Sequence, residues 1–314
     1  MTVTGPGPQP ASVVAVVGPT ATGKSDLAVA LARRLGGEVI NADSMQLYTG
    51  MDIGTAKLTP AEQGGIPHHL LDVWPLAKSA AVAEYQSLAR AAIAEISGRD
   101  RLPILVGGSG LYLRGALDRL EFPGESAPLR ARLNEELAAV GAPALHTRLA
   151  QIDPAAAAGI LPTNGRRIVR ALEVIELTGR PFLARMPGFD SVYRTVMIGL
   201  DRADLDERVE RRVQVMMQRG FLDEIRGLLP AGLRGSPTAA KALGYQQLLD
   251  VLDDDGRLTG DLENAIELTV RGTRRFVRRQ RSWFRRDPRI HWLDGAAPNL
   301  LEQALAVSTP RLEA

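Results

Sequence analysis

The chain has 314 residues, of which 45% are hydrophobic and 24% charged, a balance typical of a globular protein with one large core or two modest ones. It contains no cysteine, which excludes disulfides, thiolate zinc sites and cysteine nucleophiles. No apolar run reaches membrane-spanning length, and residues 1–10 lack the basic and apolar segments of a signal peptide, so we expect a cytoplasmic protein.

A phosphate-binding motif stands near the start of the chain. The pattern G-x-x-x-x-G-K-S follows an apolar run at residues 13–17 and precedes a helical pattern. In that context the loop leads into a helix N-terminus, where free backbone N–H groups and the helix dipole attract an anion. The loop glycines permit a tight turn, the lysine supplies a positive charge, and Ser25 offers a hydroxyl to Mg²⁺. The motif predicts that a di- or triphosphate is bound by Gly18, Pro19, Thr20, Ala21, Thr22, Gly23, Lys24 and Ser25.

Further strand patterns alternate with helical ones along the chain. We predict strands at residues 38–42, 104–106, 195–200 and 290–293, and a helix at residues 81–96. This alternation predicts an α/β fold of the P-loop NTPase type, with a parallel sheet flanked by helices. In such sheets, ligands bind at the carboxyl ends of the strands.

Two polar residues close predicted strands beside the phosphate loop. Asp43 follows the strand at 38–42, and Ser109 follows the strand at 104–106 through two glycines. Other P-loop enzymes end a second apolar strand with an acidic residue that helps to hold Mg²⁺. Asp43 could orient metal-bound water, act as a general base, or be a helix N-cap or turn residue. Ser109 is either part of the site or a loop residue that the tight glycine turn requires.

Residues 120–190 contain no strand-like run. Helical patterns at residues 128–140, 142–151 and 165–178 are separated by proline and glycine. We therefore predict a helical domain inserted between two parts of the core, residues 1–119 and 191–314. On its last helix, Arg166 and Arg170 share a face that could hold phosphates. The alternative is a solvated face with an ion pair between Arg170 and Glu173.

A second basic helix is predicted near the C-terminus, before Asp287 and Pro288. Its arginines recur at spacings of three and four residues, while Val277 and Phe284 repeat on another face. Such a stripe is self-repelling unless an anion neutralises it, which favours a nucleic acid partner. Trp283 could add a stacking surface or belong to the core, and a solvated arginine face is the other alternative. The stripe consists of Arg271, Arg274, Arg278, Arg281 and Arg285.

Two adjacent histidines, His68 and His69, could suggest a metal site. Adjacent side chains diverge on a strand and lie about 100° apart on a helix. No acidic pair near them completes a ligand set, so we expect no zinc site there.

Several longer segments resemble the bacterial tRNA dimethylallyltransferases, also called tRNA isopentenyl transferases. The segments occur in family order and span nearly the whole chain. Ser25 and Ser109 stand where many members have threonine, and Gln246 stands where arginine, a phosphate contact, is common. The matching segments are residues 18–25 (GPTATGKS), 43–46 (DSMQ), 50–57 (GMDIGTAK), 67–70 (PHHL), 106–112 (VGGSGLY), 166–174 (RRIVRALEV), 244–245 (GY) and 278–285 (RRQRSWFR).

The resemblance implies the reaction and the roles of the residues. The donor is dimethylallyl diphosphate, held by the phosphate loop with Mg²⁺, and the acceptor is N6 of the adenosine 3′-adjacent to the anticodon in tRNA. Asp43 is the general base, Lys24 neutralises the departing diphosphate, and Ser109 helps to hold the reacting groups. We expect a monomer. The residues implied in tRNA binding are Asp43, Ser44, Met45, Gln46, Ser109, Arg130, Arg166, Arg167, Arg170, Arg278, Arg279, Gln280, Arg281, Trp283 and Arg285.

The motifs leave other functions open. A P-loop small-molecule kinase would transfer phosphate from ATP and would not need the arginine stripe. A nucleotide-dependent RNA-binding protein would bind without catalysis, so its binding would survive loss of Asp43. A prenyltransferase that acts on free adenylate would need neither the helical insertion nor the C-terminal arginines.

Overall fold

The computed structural model describes residues 11–182 and 187–313. Within them, strands of one parallel sheet lie in the order β3-β2-β4-β1-β5-β6. The strands are β1 Ser12–Val17, β2 Gly37–Asn41, β3 His68–His69, β4 Leu102–Gly107, β5 Arg194–Asp201 and β6 Ile290–Asp294. The predicted α/β fold, a parallel sheet flanked by helices, is confirmed. The histidine pair forms β3, a short edge strand that the sequence did not predict.

Helices connect these strands and cover the sheet. They are α1 Lys24–Leu35, α2 Pro60–Gln63, α3 Val82–Ser97, α4 Gly110–Leu117, α5 Ala127–Ile152, α6 Pro154–Ala158, α7 Gly165–Thr178, α8 Leu205–Gln218, α9 Phe221–Leu228, α10 Tyr245–Leu249, α11 Leu262–Phe284 and α12 Leu300–Glu313. Gly141 has non-helical backbone angles inside α5, so the two helical pieces predicted on either side of it are separate in geometry. In the described part of the chain, no helix combines the length and apolar character needed to cross a bilayer.

The central strand β1 is buried on both faces. Val13, Ala15 and Val17 contribute to one apolar layer, and Val14 and Val16 contribute to the other. This division follows from the two-residue repeat of a strand, and burial on both faces explains why the sequence is continuously apolar. Helices α1 and α12 pack in one layer, while α3, α4 and α9 pack in the other.

The chain forms two compact units. One contains the chain up to Arg119 together with the chain from Ser191 onward, and the other is the helical unit Leu120–Asp190. The chain leaves and re-enters the first unit at adjacent points, because Asp118 and Ser191 form an antiparallel bridge. Arg289 donates from Nη1 to the Asp118 carboxylate at 2.6 Å and to the Ser191 hydroxyl at 2.7 Å, and so ties the two points together.

Candidate active site

The phosphate loop connects β1 to α1. Gly18 and Gly23 have φ angles of 130° and 90°, which other residues rarely adopt, so both glycines are required by the turn. Thr22 Oγ1 donates to the Pro19 carbonyl at 2.9 Å, and the Lys24 ammonium donates to the same carbonyl. The loop therefore brings Lys24 to the N-terminus of α1, where free N–H groups can meet an anion.

Gln280 of α11 joins the phosphate loop to the end of β4. Its Oε1 accepts from the Thr20 N–H at 3.0 Å, and its Nε2 donates to the Gly108 carbonyl at 2.9 Å. The side chain is only 5% exposed. Both ends of its amide thus take part in hydrogen bonds inside the protein. The contact of Gln280 with tRNA stays a prediction. Its role is to hold two parts of the site in register.

Asp43 follows β2, and the buried Asn41 fixes its backbone. Asn41 Oδ1 accepts from the Asp43 N–H at 2.8 Å, and Nδ2 donates to the carbonyls of Asp43 and Leu70 at 3.0 Å each. Asp43 Oδ1 accepts from the Met45 N–H at 3.1 Å, a turn that aspartate commonly makes. No donor to Oδ2 is found among residues 11–182 and 187–313. The half-buried carboxylate therefore makes a turn with one oxygen, and within the described residues its other oxygen accepts no hydrogen bond.

Three charged side chains beside the loop influence one another electrostatically: Lys24, Asp43 and Arg212 of α8. Loss of surrounding water, and then the charge of Arg212, lowers the pKa of Lys24 to about 7. Burial raises the pKa of Asp43, although Lys24 and Arg212 oppose the rise. Burial also lowers the pKa of Arg212, and Asp43 partly restores it. Such mutual effects arise between groups that lie close together, and two cations with one carboxylate suit an anionic ligand.

Ser109 lies against the segment that begins with Asp43. Its Oγ accepts from the Ser44 N–H at 3.3 Å and lies 3.5 Å from the Ser44 hydroxyl oxygen. The Trp283 indole packs on Gly110, where an added Cβ would stand 2.0 Å from the indole nitrogen. Trp283 is 37% exposed, so part of its ring stays available to a ligand. The structure thus brings Ser44, Ser109 and Trp283 to the ends of β2 and β4.

Comparison with known proteins shows what the chain as a whole resembles. Residues 46–287 match the model of the IPP transferase family. The chain belongs to this family. The predicted family and its prenyltransferase class are thereby confirmed.

Individual relatives extend the match over nearly the whole IPP transferase chain. This chain is 64% identical over 292 residues to a tRNA dimethylallyltransferase of Streptomyces avermitilis, with 92% of each chain covered. A tRNA dimethylallyltransferase of Acidothermus cellulolyticus is 64% identical over 298 residues, covering 94% of this chain and 92% of that protein.

Solved structures are also similar. A tRNA isopentenylpyrophosphate transferase from Bacillus halodurans is 41% identical with a TM-score of 0.71, covering 96% of this chain and 97% of that one. A eukaryotic dimethylallyltransferase acting on tRNA is 26% identical with a TM-score of 0.80, and the match covers 96% of this chain and 80% of that one.

In the helical unit of this IPP transferase, two predicted tRNA contacts share a buried carboxylate. Arg130 Nη2 and Arg170 Nη1 donate to Glu173 Oε2 at 2.7 and 2.9 Å. Burial would raise the pKa of Glu173, but hydrogen bonds from Arg130, a backbone N–H and Arg170 lower it overall. The alternative ion pair between Arg170 and Glu173 is therefore present. Arg166 and Arg167 are exposed on α7.

The arginine stripe of α11 is largely paired with the protein's own carboxylates. The prediction that an external anion must neutralise the whole stripe is therefore wrong. The pairs are Arg271 with Glu267, Arg274 with Glu210, and Arg281 and Arg285 with Asp201, the last at 3.5 Å. By contrast, exposed arginines of the same region that form no ion pair within residues 11–182 and 187–313 are Arg275, Arg278, Arg279 and Arg286.

Sequence reasoning missed several residues that build the IPP transferase site. Arg212 was not predicted, and neither was Arg208, whose Nε donates to the Ala21 carbonyl of the phosphate loop at 2.7 Å. The two arginines lie four residues apart on α8, the spacing that places side chains on one helical face. Asn41, the last residue of β2, was also missed, although a polar residue closing an apolar strand was a usable signal.

Proposed function

We propose that this IPP transferase transfers a dimethylallyl group from dimethylallyl diphosphate to N6 of the adenosine 3′-adjacent to the anticodon in tRNA, with release of diphosphate. The observation that carries the proposal is that the phosphate loop and Asp43 follow strands of one sheet and meet across the glycines after β4. A Cβ added at Gly107 would lie 2.3 Å from the carbonyl oxygen of Ala42, and one added at Gly108 would lie 3.4 Å from the carbonyl oxygen of Gly18. A base for the amine and a cation for the leaving group thus lie at one edge of the sheet, and each charge influences the pKa of the other. The names of the relatives support the choice of reaction.

The chemistry follows from these charges. The bond between the allylic carbon and the diphosphate oxygen breaks, and a bond between that carbon and N6 forms. Lys24, Arg212 and the loop N–H groups stabilise the negative charge that grows on the diphosphate. Asp43 accepts the proton that N6 loses, and its raised pKa makes it a stronger base than an exposed aspartate. The target base must leave its stack to reach this position.

Mg²⁺ fits the residues at the loop. Ser25 lies in the first turn of α1, and its hydroxyl makes no hydrogen bond in the part of the chain that the structure describes. Within that part, no group of three or more His, Asp or Glu side chains could hold a metal ion alone. Mg²⁺ takes few protein ligands and is completed by water and substrate phosphates, so a single hydroxyl suits it. We propose that Ser25 binds Mg²⁺, which when bound supplies positive charge to the diphosphate.

The tRNA is held by exposed basic side chains in this proposal. Arg278 and Arg279 carry charge without an ion pair in the described residues, Arg166 and Arg167 are exposed, and Trp283 offers a stacking surface. Arg130, Arg170, Arg281 and Arg285 would contribute only the donors that their carboxylate partners leave. We further propose that the protein acts as a monomer, because the residues proposed for the reaction all come from one chain. We also propose that it acts in the cytoplasm, as a tRNA-modifying enzyme.

The alternatives lack support in the structure. β4, which pairs with β1 beside the phosphate loop, ends at Gly107 and is followed by Gly108 and Ser109, so the acidic residue of phosphate-transferring P-loop enzymes is missing at that strand end. A binding protein without catalysis would not need the desolvated pair of Lys24 and Asp43.

The experiment is incubation of the pure protein with radiolabelled dimethylallyl diphosphate, Mg²⁺ and an unmodified tRNA anticodon stem-loop. We expect label in the RNA and release of diphosphate. A matched stem-loop with inosine in place of the target adenosine lacks the N6 amine and should stay unlabelled. Equal label in both RNAs, or phosphate transfer from ATP to a small acceptor instead, would contradict the proposal.

A further inference from the structure

The loop of residues 52–57, which follows Asp43 in the chain, is held by one carboxylate, Glu224 of α9. Glu224 Oε2 accepts from the N–H groups of Asp52 and Ile53 at 2.9 and 2.5 Å. Its Oε1 accepts from the Gly54 N–H at 3.1 Å and from the Tyr245 hydroxyl at 2.5 Å. Glu224 thus satisfies three successive backbone N–H groups, and the buried Tyr245 orients it in turn.

The close approach of this loop is built into its sequence. A Cβ added at Gly54 would lie 2.1 Å from the Phe221 ring and 2.6 Å from the Tyr245 ring, so only glycine lets the loop reach Glu224. At the other end of the loop, Lys57 Nζ donates to the carboxylates of Asp52 and Asp72, at 2.5 Å each. The loop is therefore fixed from both sides.

The loop in turn holds the side chain of Gln46 by hydrogen bonds. Gln46 Nε2 donates to the carbonyls of Thr55 and Ala56 at 3.2 and 3.4 Å. Because a carbonyl can only accept, the amide must turn its NH₂ group towards the loop. Ala56 has a φ of 50°, a left-handed angle that alanine holds only when its surroundings impose it. Across residues 11–182 and 187–313, nothing donates to Gln46 Oε1, which is left as a free acceptor.

We propose that Glu224 is a positioning residue for base selection. Through the loop it fixes the polarity of the Gln46 carboxamide, so that Oε1 is the atom offered to the acceptor base. The inference rests on the proposed function. The 6-amino group of adenine has two hydrogens, one for Gln46 Oε1 and one for transfer to Asp43, three residues earlier in the chain. A 6-oxo base offers only an acceptor at this place and would face Oε1 with repulsion.

The test measures dissociation constants of two anticodon stem-loops that differ only in the target nucleotide, adenosine or inosine, without the prenyl donor. Their ratio reports base selection, because phosphate contacts are the same for both. We expect inosine to bind the wild type about tenfold more weakly. Glu224→Gln should reduce the ratio to about twofold, because an amide N–H would oppose the loop N–H groups. Gln46→Ala should reduce it as far, and the double variant no further.

Asp223→Asn is the matched control, since this neighbouring carboxylate is exposed and, among the residues that the structure describes, pairs with Arg226 alone. Its ratio should equal that of the wild type. Damage to the fold alone would weaken both RNAs equally and leave the ratio unchanged. A wild-type ratio of one, an unchanged ratio in Glu224→Gln, or additive losses in the double variant would each overturn the inference.

If Glu224→Gln fails to fold, Tyr245→Phe takes its place, because it removes a single hydrogen bond from the carboxylate. Its ratio should fall to about half the wild-type value, and an unchanged ratio would overturn the inference. Failure of the proposed function is seen separately, as absence of prenyl transfer by the wild type to the adenosine stem-loop.

Discussion

The strand-end site at the phosphate loop and the arginine stripe of α11 use charge in opposite ways. At the strand ends, Lys24, Asp43 and Arg212 have lost water, and each changes the pKa of the others. Along α11, arginines pair with carboxylates at the surface or extend into solvent, where screening keeps each interaction weak. A small number of desolvated charges can therefore control the reaction, while many solvated ones contribute affinity. This contrast predicts large losses of rate from one region and modest losses of binding from the other.

Asp43→Asn should have the largest effect. The amide keeps the shape and can still accept from the Met45 N–H, but it cannot take the proton from the amine. We expect kcat to fall by about 10³-fold, with the dissociation constant for tRNA unchanged. Single-turnover assays and filter binding measure the two quantities. If tRNA binding is lost while the bound complex turns over normally, Asp43 is not the general base.

Arg212→Ala should lower kcat/KM for the prenyl donor by about 10²-fold, because it removes a cation from the developing diphosphate charge. Arg211→Ala is the matched control, since Arg211 is the exposed neighbour on the same helix and should have little effect. Steady-state kinetics with the donor varied test both. Equal losses in the two variants would mean that Arg212 acts through the general positive charge of α8 and not through a specific place beside the diphosphate.

Gln280→Ala should lower the stability of the fold more than it weakens tRNA binding. It leaves the Thr20 N–H and the Gly108 carbonyl without their partner, so the free energy of unfolding should fall by about 2 kcal/mol. Urea unfolding measures this, with the exposed Ser282→Ala as control. Unchanged stability together with weakened tRNA binding would instead support the prediction that Gln280 contacts tRNA directly.

Arg278→Ala should weaken tRNA binding roughly fivefold and reduce the salt slope of log K by about one, because one phosphate contact is lost. Arg271→Ala removes an arginine that already pairs with Glu267, so its slope should change less. Binding titrations over a range of salt concentrations give both slopes. A slope unaltered in Arg278→Ala means that its side chain touches no phosphate.

The last predicted effect concerns pH. Lys24 loses its proton near pH 7 in the folded protein but near 10.5, its ordinary value, when unfolded. Between these values the unfolded state binds more protons, so rising pH should stabilise the wild type relative to Lys24→Met. Urea unfolding of both proteins at pH 7 and pH 9 gives the difference. A difference that stays constant with pH would show that Lys24 is not desolvated in the folded state.

The sheet and the phosphate loop could be predicted because their signals are local. Strands such as β1 are continuous apolar runs, and the loop is a fixed pattern between a strand and a helix. The two-residue strand β3 escaped because it carries too few residues for any periodic pattern. Its pairing with β2 depends on the sheet edge that the rest of the chain provides.

The site could be predicted only in part, because a motif names residue types and not their partners. Asp43 and Lys24 lie in recognisable segments, whereas Arg212, whose charge influences both, lies on a helix about 170 residues further along the chain. Only tertiary structure produces such a long-range interaction. The same limitation affected α11, where Gln280 and Arg281 belong to one motif but turn inwards. Whether an arginine meets phosphate or a carboxylate such as Asp201 depends on long-range packing that no spacing rule contains.

The bridge between Asp118 and Ser191 has a consequence for engineering. Since the chain exits and returns at adjacent residues that Arg289 already links, closing this gap with a few residues in place of 120–190 costs little loop entropy. A shortened protein made in this way would keep the sheet and its strand-end residues. It would offer a minimal scaffold into which other RNA-reading modules could be grafted.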